Sequence, residues 1–219
     1  MQPQDKNHHM ERTIDINNFE GLLQKATELR GHRCLGLPLG IKMAQIGLRL
    51  LNMTEEEKRE YLVVFVENDK CPADAIQVAT GCSAGSRKLK MLYYGKSAAT
   101  FVDGRTGKGY RVMSKKDLNA RALELAVKDN IIKAGEKVEA MSKFERQILM
   151  NAFMKMTAEE LLDFQAVKIT WDSPLISPRM EPTRYCAKCG EEIMGGMGIV
   201  QGDKTFCRPC VYGTYYEGL

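Results

Sequence analysis

Histidine is scarce here: three in 219 residues. Two of them, His8 and His9, sit in a polar, charged arm spanning Met1 to Arg12, so imidazole chemistry in the folded part rests on His32. Long apolar runs are missing as well. A stretch such as Tyr61-Leu-Val-Val-Phe-Val66 is far short of the roughly 20 residues a bilayer-crossing helix needs. The arm contains no apolar segment of the kind that directs secretion. No membrane span is expected, and a cytoplasmic address is. Charge of one sign is also in short supply. The net charge is +4 and the pI about 8.6, too mild a bias for the basic footprint of a nucleic-acid binder. Phosphate loops are absent: Gly95-Lys96-Ser97 lacks the upstream glycine, and Gly104-x-x-Gly107-x-Gly109 belongs in a hairpin rather than at a strand-to-helix turn. No internal repeat or low-complexity tract is present.

What the chain does hold is seven cysteines. In a reducing compartment these point to metal or redox chemistry rather than to a disulfide scaffold. Four are ordered as Cys186-Ala-Lys-Cys189, seventeen residues, Cys207-Arg-Pro-Cys210. Two CxxC pairs at this separation are a strong structural-zinc signal, because each pair supplies two thiolates from one tight turn to a tetrahedral ion. The intervening segment is rich in glycine and poor in large apolar groups, so metal binding would supply most of its folding energy, roughly 10–16 kcal/mol in comparable peptides. Four thiolates around Zn²⁺ leave a charge of −2, which Arg184, Lys188, Lys204 and Arg208 would offset. Tyr185, Phe206, Tyr212, Tyr215 and Tyr216 are read first as packing against the metal site, the core or a dimer partner, and only second as base-stacking groups.

The remainder reads as one α+β domain over residues 13–172, followed by the finger over 183–219. Phe19, Leu22, Leu23, Ala26 and Leu29 follow helical spacing, and Gly31 is a natural stop. Leu39, Met43, Ile46 and Leu50 mark one face of a second helix. Tyr61–Glu67 reads as a buried strand, and Pro72–Ala79 as a short helix closed by Gly81. Lys88–Tyr94, Ala98–Asp103 and Gly109–Met113 read as strands, with a hairpin turn at Gly104–Gly107. Ser114-x-x-Asp117, Ser142-x-x-Glu145 and Thr157-x-x-Glu160 resemble capping boxes, Phe164–Trp171 reads as a further strand, and Pro174, Pro178 and Pro182 mark an extended linker. Consecutive strands with helices before and after favour an antiparallel or mixed sheet flanked by helices over a doubly wound sheet.

His32-x-Cys34 is a loop pair at chelating distance, with ligand types suited to zinc, iron or nickel. Cys71 and Cys82 flank the short helix. Its rise puts the two ends roughly 12 Å apart, so that only one of the two joins a zinc at about 2.3 Å per Zn–S bond unless the chain after the helix folds back. Cys71, at the helix N-terminus where the dipole favours a thiolate, is the expected partner of His32 and Cys34. Three protein ligands with an open position is how catalytic zinc sites are built. The competing reading is that these cysteines are core residues.

Beyond this spacing, His32-x-Cys34-x-Gly36, Val66-Glu-Asn-Asp69-x-Cys71-x-x-Asp74-Ala-Ile-Gln77, Thr80-Gly-Cys82-Ser-x-Gly85, Tyr94-Gly-Lys96 and Gly107-Lys-Gly-x-Arg111-Val resemble the E subunits of formylmethanofuran dehydrogenases, in order and approximate spacing. The resemblance covers residues 18–113 in detail. It implies an α+β core, a C-terminal treble-clef or ribbon-type zinc finger as in some members, a homodimer, and a cleft gathering His32, Cys34, Cys71 and Cys82 with Asp69, Asp74 and Gln77 as polar neighbours. On that reading the structural Zn²⁺ of the finger is joined by a second transition metal (Zn, Ni or Fe) in the core. Cys82 is then a fourth ligand or a redox-active thiol, and Asp69 or Asp74 the candidate base. The role implied is an accessory subunit, or a stand-alone relative, in one-carbon or molybdopterin-linked redox metabolism, with oxidoreductase subunits as partners. The pterin chemistry belongs to other subunits. Rival readings are a metal-handling or sensing protein, and an interaction module built on the finger. The chain departs from the family where Arg33 stands between His32 and Cys34, and in the segment Ser83-Ala-Gly-Ser-Arg-Lys88; both bear on substrate more than on fold.

Overall fold

The structure, a computed structural model, describes residues 15–128, 150–169 and 182–217. The expected N-terminal arm, the Ser142 cap, Trp171 and the linker prolines Pro174 and Pro178 lie outside these residues. The chain divides into two compact units, 1–169 and 170–219.

In the first unit α1 (Phe19–Arg30) begins at Asn18, whose side chain accepts the Gly21 N–H, and ends at Gly31 in the left-handed conformation, where the Gly31 N–H bonds back to the Thr27 carbonyl. After a loop over residues 32–35 comes α2 (Gly36–Leu51). Eleven of its sixteen residues are buried, so it is a central helix packed on several sides rather than a one-faced surface helix. The acidic α3 (Glu55–Tyr61) carries a full Thr54/Glu57 capping box and buries no residue. It leads into β1 (Leu62–Val66). Next come α4 (Cys71–Thr80), closed by left-handed Gly81, then β2 (Leu89–Met91), β3 (Ala98–Asp103) and β4 (Lys108–Ser114). Residues Leu118–Lys128 form α5, and after helical residues 150–155 a single capped turn, α6 (Ala158–Leu161), opens onto β5 (Leu162–Lys168).

The sheet order is β2-β1-β3-β4-β5. The β1–β2 pair is parallel and the others antiparallel, so the sheet is mixed and the unit is α+β. Helix α2 lies against β3, where Gly47 makes room for Phe101: a β-carbon there would stand 2.1 Å from the Phe101 ring. Glu67, at the end of β1, is 5% exposed and reaches diagonally past β3 to Arg111 on β4, which donates two bonds of 2.6 and 2.8 Å to its carboxylate. Lys42, also buried, donates to the Met154 and Met156 carbonyls and so ties α2 to the end of the 150–155 helix.

Two readings of the sequence are corrected. Ser114 is the last residue of β4 rather than a helix cap, because Asp117 (φ 64°) turns left-handed before α5 starts at Leu118. The short helix begins one residue before Pro72, at Cys71, and runs to Thr80.

In the second unit β6 (Arg184–Tyr185) pairs with β7 (Glu192–Ile193), β8 (Ile199–Gln201) pairs with β9 (Lys204–Phe206), and α7 (Arg208–Tyr212) follows, with Cys207 as its N-cap. Among its described residues few are buried: Cys186, Ile193 and Thr205. Gly198 presses on Thr205 (a β-carbon would meet Cγ2 at 2.4 Å), which closes the hairpin onto this small centre.

Candidate metal centres

Three helix ends build the core centre. Gly31 ends α1, which releases His32 into the loop. Cys34 precedes α2, where the Leu37 N–H donates to its carbonyl at 3.2 Å and the first amides of the helix, Gly36 and Leu37, favour its thiolate form. Cys71 is the first residue of α4. The turn before it is fixed by buried Asn68, whose amide donates to the Lys96 carbonyl at 2.7 Å and whose oxygen accepts the Lys70 N–H at 3.1 Å. What brings α2 and α4 close enough is glycine at two positions one turn apart. A β-carbon on Gly36 would lie 2.9 Å from Cβ of Cys71, and one on Gly40 would lie 2.5 Å from the Pro72 carbonyl oxygen.

The result is that one ligand atom each of His32, Cys34 and Cys71 lies within 4.8 Å of the others. His32 is exposed and both cysteines are half-buried. Burial, and then the neighbouring Cys71, pushes the Cys34 thiol up to about 11, against the pull of the Gly36 and Leu37 amides. Without a cation Cys34 therefore holds its proton near neutrality, and a bound soft cation would have to displace it.

The other candidate residues are placed elsewhere. Cys82 lies beyond the C-terminal end of α4, 2% exposed, with its thiol donating to the Leu62 carbonyl at 3.8 Å; burial raises its pKa. It is a core thiol and is not in the ligand group. Asp74 pairs with Arg30 at 3.6 Å, which ties α4 to the last turn of α1. Asp69 is exposed and Gln77 half-buried; neither Asp69 nor Asp74 joins the group.

The finger gathers Cys186, Cys189, Cys207 and Cys210 within 4.8 Å of one another. All seven cysteines are free thiols. The first pair sits on the turn between β6 and β7, and the second at the start of α7. The amides of Cys207 (3.3 Å) and Lys188 (3.4 Å) donate to the Cys186 sulfur, and such donors, Cys207 first, draw its pKa down to about 6. Cys210, hydrogen-bonded to Cys207, is pushed up to about 12. This hairpin, knuckle and helix form a zinc-finger-type unit. Its tyrosines do not pack on the thiols: Tyr185, Tyr212, Tyr215 and Tyr216 are 59–100% exposed. The packing expected for them is therefore not made within this unit. Among the described residues no helix is long and apolar enough to cross a membrane.

The fold and site define an α+β protein with two thiol-rich groups able to hold a metal ion, one where helices α1, α2 and α4 meet and one in a four-cysteine finger. The chain belongs to the FmdE family, described as "Molybdenum formylmethanofuran dehydrogenase operon", whose pattern it matches over residues 29–163. Its fold is similar to that of a tungsten formylmethanofuran dehydrogenase E-subunit (FmdE)-like protein from Syntrophus aciditrophicus, with a TM-score of 0.61 at 20% identity, covering 94% of this chain and 99% of that one. It is also 30% identical over 205 residues to a "Probable S-adenosyl-L-methionine-binding protein" of Archaeoglobus fulgidus, covering 89% of this chain but 53% of the relative. The chain thus spans about half the length of that relative.

Proposed function

We propose that this FmdE-family protein binds a transition metal (zinc, nickel or iron) through His32, Cys34 and Cys71, with room for an exogenous ligand, and a structural zinc through the four cysteines of the finger. The observation that carries this reading is the convergence of three soft donors from three helix ends, in a half-exposed position, within 4.8 Å. Half exposure suits an ion that exchanges ligands, whereas the finger's ion is held by four protein donors. Of the two acidic neighbours, Asp74 is engaged by Arg30. That leaves exposed Asp69 as the carboxylate available to take a proton there. The protein would serve as an accessory subunit, or a stand-alone relative, in one-carbon or molybdopterin-linked redox metabolism. It would act as a cytoplasmic homodimer with oxidoreductase subunits as partners. Cobalt(II) titration tests the metal reading. Thiolate-to-cobalt charge transfer should appear for two sites, and the Cys34→Ser and Cys71→Ser variants should each lose the same one. Identical spectra in the wild type and both variants would sink it. A mild chelator that empties the core and spares the finger would shift the role toward metal delivery.

A second reading follows from the A. fulgidus relative, which is named for S-adenosylmethionine binding and matches 89% of this chain. Calorimetric titration of S-adenosylmethionine into the full chain tests whether the shared half is the half that binds. Saturable 1:1 heat would assign binding to this chain, and no heat would assign it to the remainder of that protein.

A further inference from the structure

We propose that the cavity beside the core metal group is a ligand pocket for a small molecule with an amino-carboxylate head and an apolar body. This inference deepens the metal-site reading above and rests on it for the ligand's orientation. The cavity is an open groove of about 550 Å³, within the volume range of small-molecule sites. Gly36 joins it to the metal group, since that residue both lines the cavity and packs on Cys71. The cavity's apolar lining is Leu35 and Leu39, at and after the cap of α2, with Leu118 and Phe153. The remaining wall is polar. The Ser97 and Ser114 hydroxyls lie 2.6 Å apart. One must donate to the other, which leaves one donor and several lone pairs for a ligand.

Two opposite charges complete the polar wall. Lys115 gives one of its three N–H bonds to the Glu159 carbonyl and stands 3.9 Å from Asp163, so it retains donating capacity. Asp117, exposed and left-handed just before α5, is the acidic residue of the lining. A lone carboxylate would be attracted by Lys115 and repelled by Asp117, and a lone ammonium the reverse. A zwitterion satisfies both, with the hydroxyl pair as a further partner and its side chain along Leu35 and Leu39 beside Gly36. The volume leaves room for a body larger than an ordinary amino-acid side chain.

The test uses the full chain loaded with zinc and L-methionine as probe, followed by NMR shift perturbation. N-acetyl-L-methionine and L-methioninamide each remove one charge of the head. L-methionine should bind once per chain, and each masked analogue should bind about tenfold more weakly, the effect of losing one charge-assisted hydrogen bond. Ala120→Trp, a substitution at an exposed lining residue, should abolish binding. No binding of L-methionine, equal binding of all three compounds, or unchanged binding in Ala120→Trp would overturn the pocket. Metal content is measured on the same samples. A core metal missing from wild-type protein would overturn the metal reading instead, whatever the probe does.

Discussion

Replacing Gly40 by alanine should weaken metal binding at the core group without touching any of its ligands. The new β-carbon would stand 2.5 Å from the Pro72 carbonyl oxygen, 2.8 Å from Cβ of Ala75 and 2.9 Å from Cα of Pro72. Two of these are backbone atoms, which no rotamer change relieves. Ordinary van der Waals contact begins at 3.4 Å, so α2 and α4 must part by about 0.9 Å. Alanine gains about 1 kcal/mol of helix propensity over glycine, while overpacking costs about 1–3 kcal/mol. The net destabilisation is therefore small, about 2 kcal/mol at most, a fall in Tm of no more than roughly 8 °C for a domain of this size. The metal group is far less tolerant. Metal–ligand distances hold to about 0.2 Å, and Cys34 and Cys71 ride on the two helices being separated. A loss of core affinity of about 10–100-fold is expected, as when residues supporting metal ligands are changed. Chelator competition at the core and a thermal melt, run together, read both effects. A Gly40→Ala protein that melts a few degrees lower yet holds its core metal as tightly as wild type would refute the reasoning, because helix approach would then not set the ligand geometry.

Other consequences follow from the same contacts. Glu67→Gln leaves the Arg111 guanidinium without its carboxylate and should cost about 3 kcal/mol in chemical denaturation; a cost under about 1 kcal/mol, the range of exposed pairs, would mean solvent replaces the pair. Lys42→Met strips the donor from the Met154 and Met156 carbonyls and should cost about 1–3 kcal/mol, with faster amide exchange in residues 150–156 as its local signature. Arg105 bonds Asp103 and Glu57 and stacks on the Tyr61 ring at 4.6 Å, and its hydrogen bonds hold the Asp103 carboxyl below its ordinary value. A depressed carboxylate contributes stability above its unfolded pKa, about 4, and loses it as pH falls through the folded value. Arg105→Gln should therefore destabilise at about pH 7 and flatten the acid limb of the stability–pH curve; an unchanged limb would show that the ion pair is not what acid breaks.

The parts of this fold that were legible in the sequence are those governed by local chemistry. Gly31 and Gly81 mark helix ends because only a left-handed residue closes those turns, and the Gly104–Gly107 turn fixes β3 and β4. Helix rise alone separates Cys71 from Cys82, which the structure holds at opposite ends of α4. What was illegible depends on contacts distant in sequence or on weak periodicity. Helix α3 buries nothing, so it shows no apolar stripe, and its one signal was the Thr54/Glu57 box, which the pattern of apolar residues did not bring forward. The reach of Glu67 to Arg111, and the roles of Gly36 and Gly40, need the packed structure. So does the pocket, whose polar wall joins Ser97 to residues at the end of β4. Ser114 carries a cap's spacing but is held in β4 by its pairing with Leu162.

The central claim, that the core holds a metal of its own, is tested most directly by elemental analysis of the full chain beside its Cys34→Ser and Cys207→Ser variants. Two metal ions per chain in the wild type, with each variant losing a different one, is the result predicted here. One ion per chain, retained in Cys34→Ser and lost in Cys207→Ser, would contradict it and leave His32, Cys34 and Cys71 as neighbours without a metal.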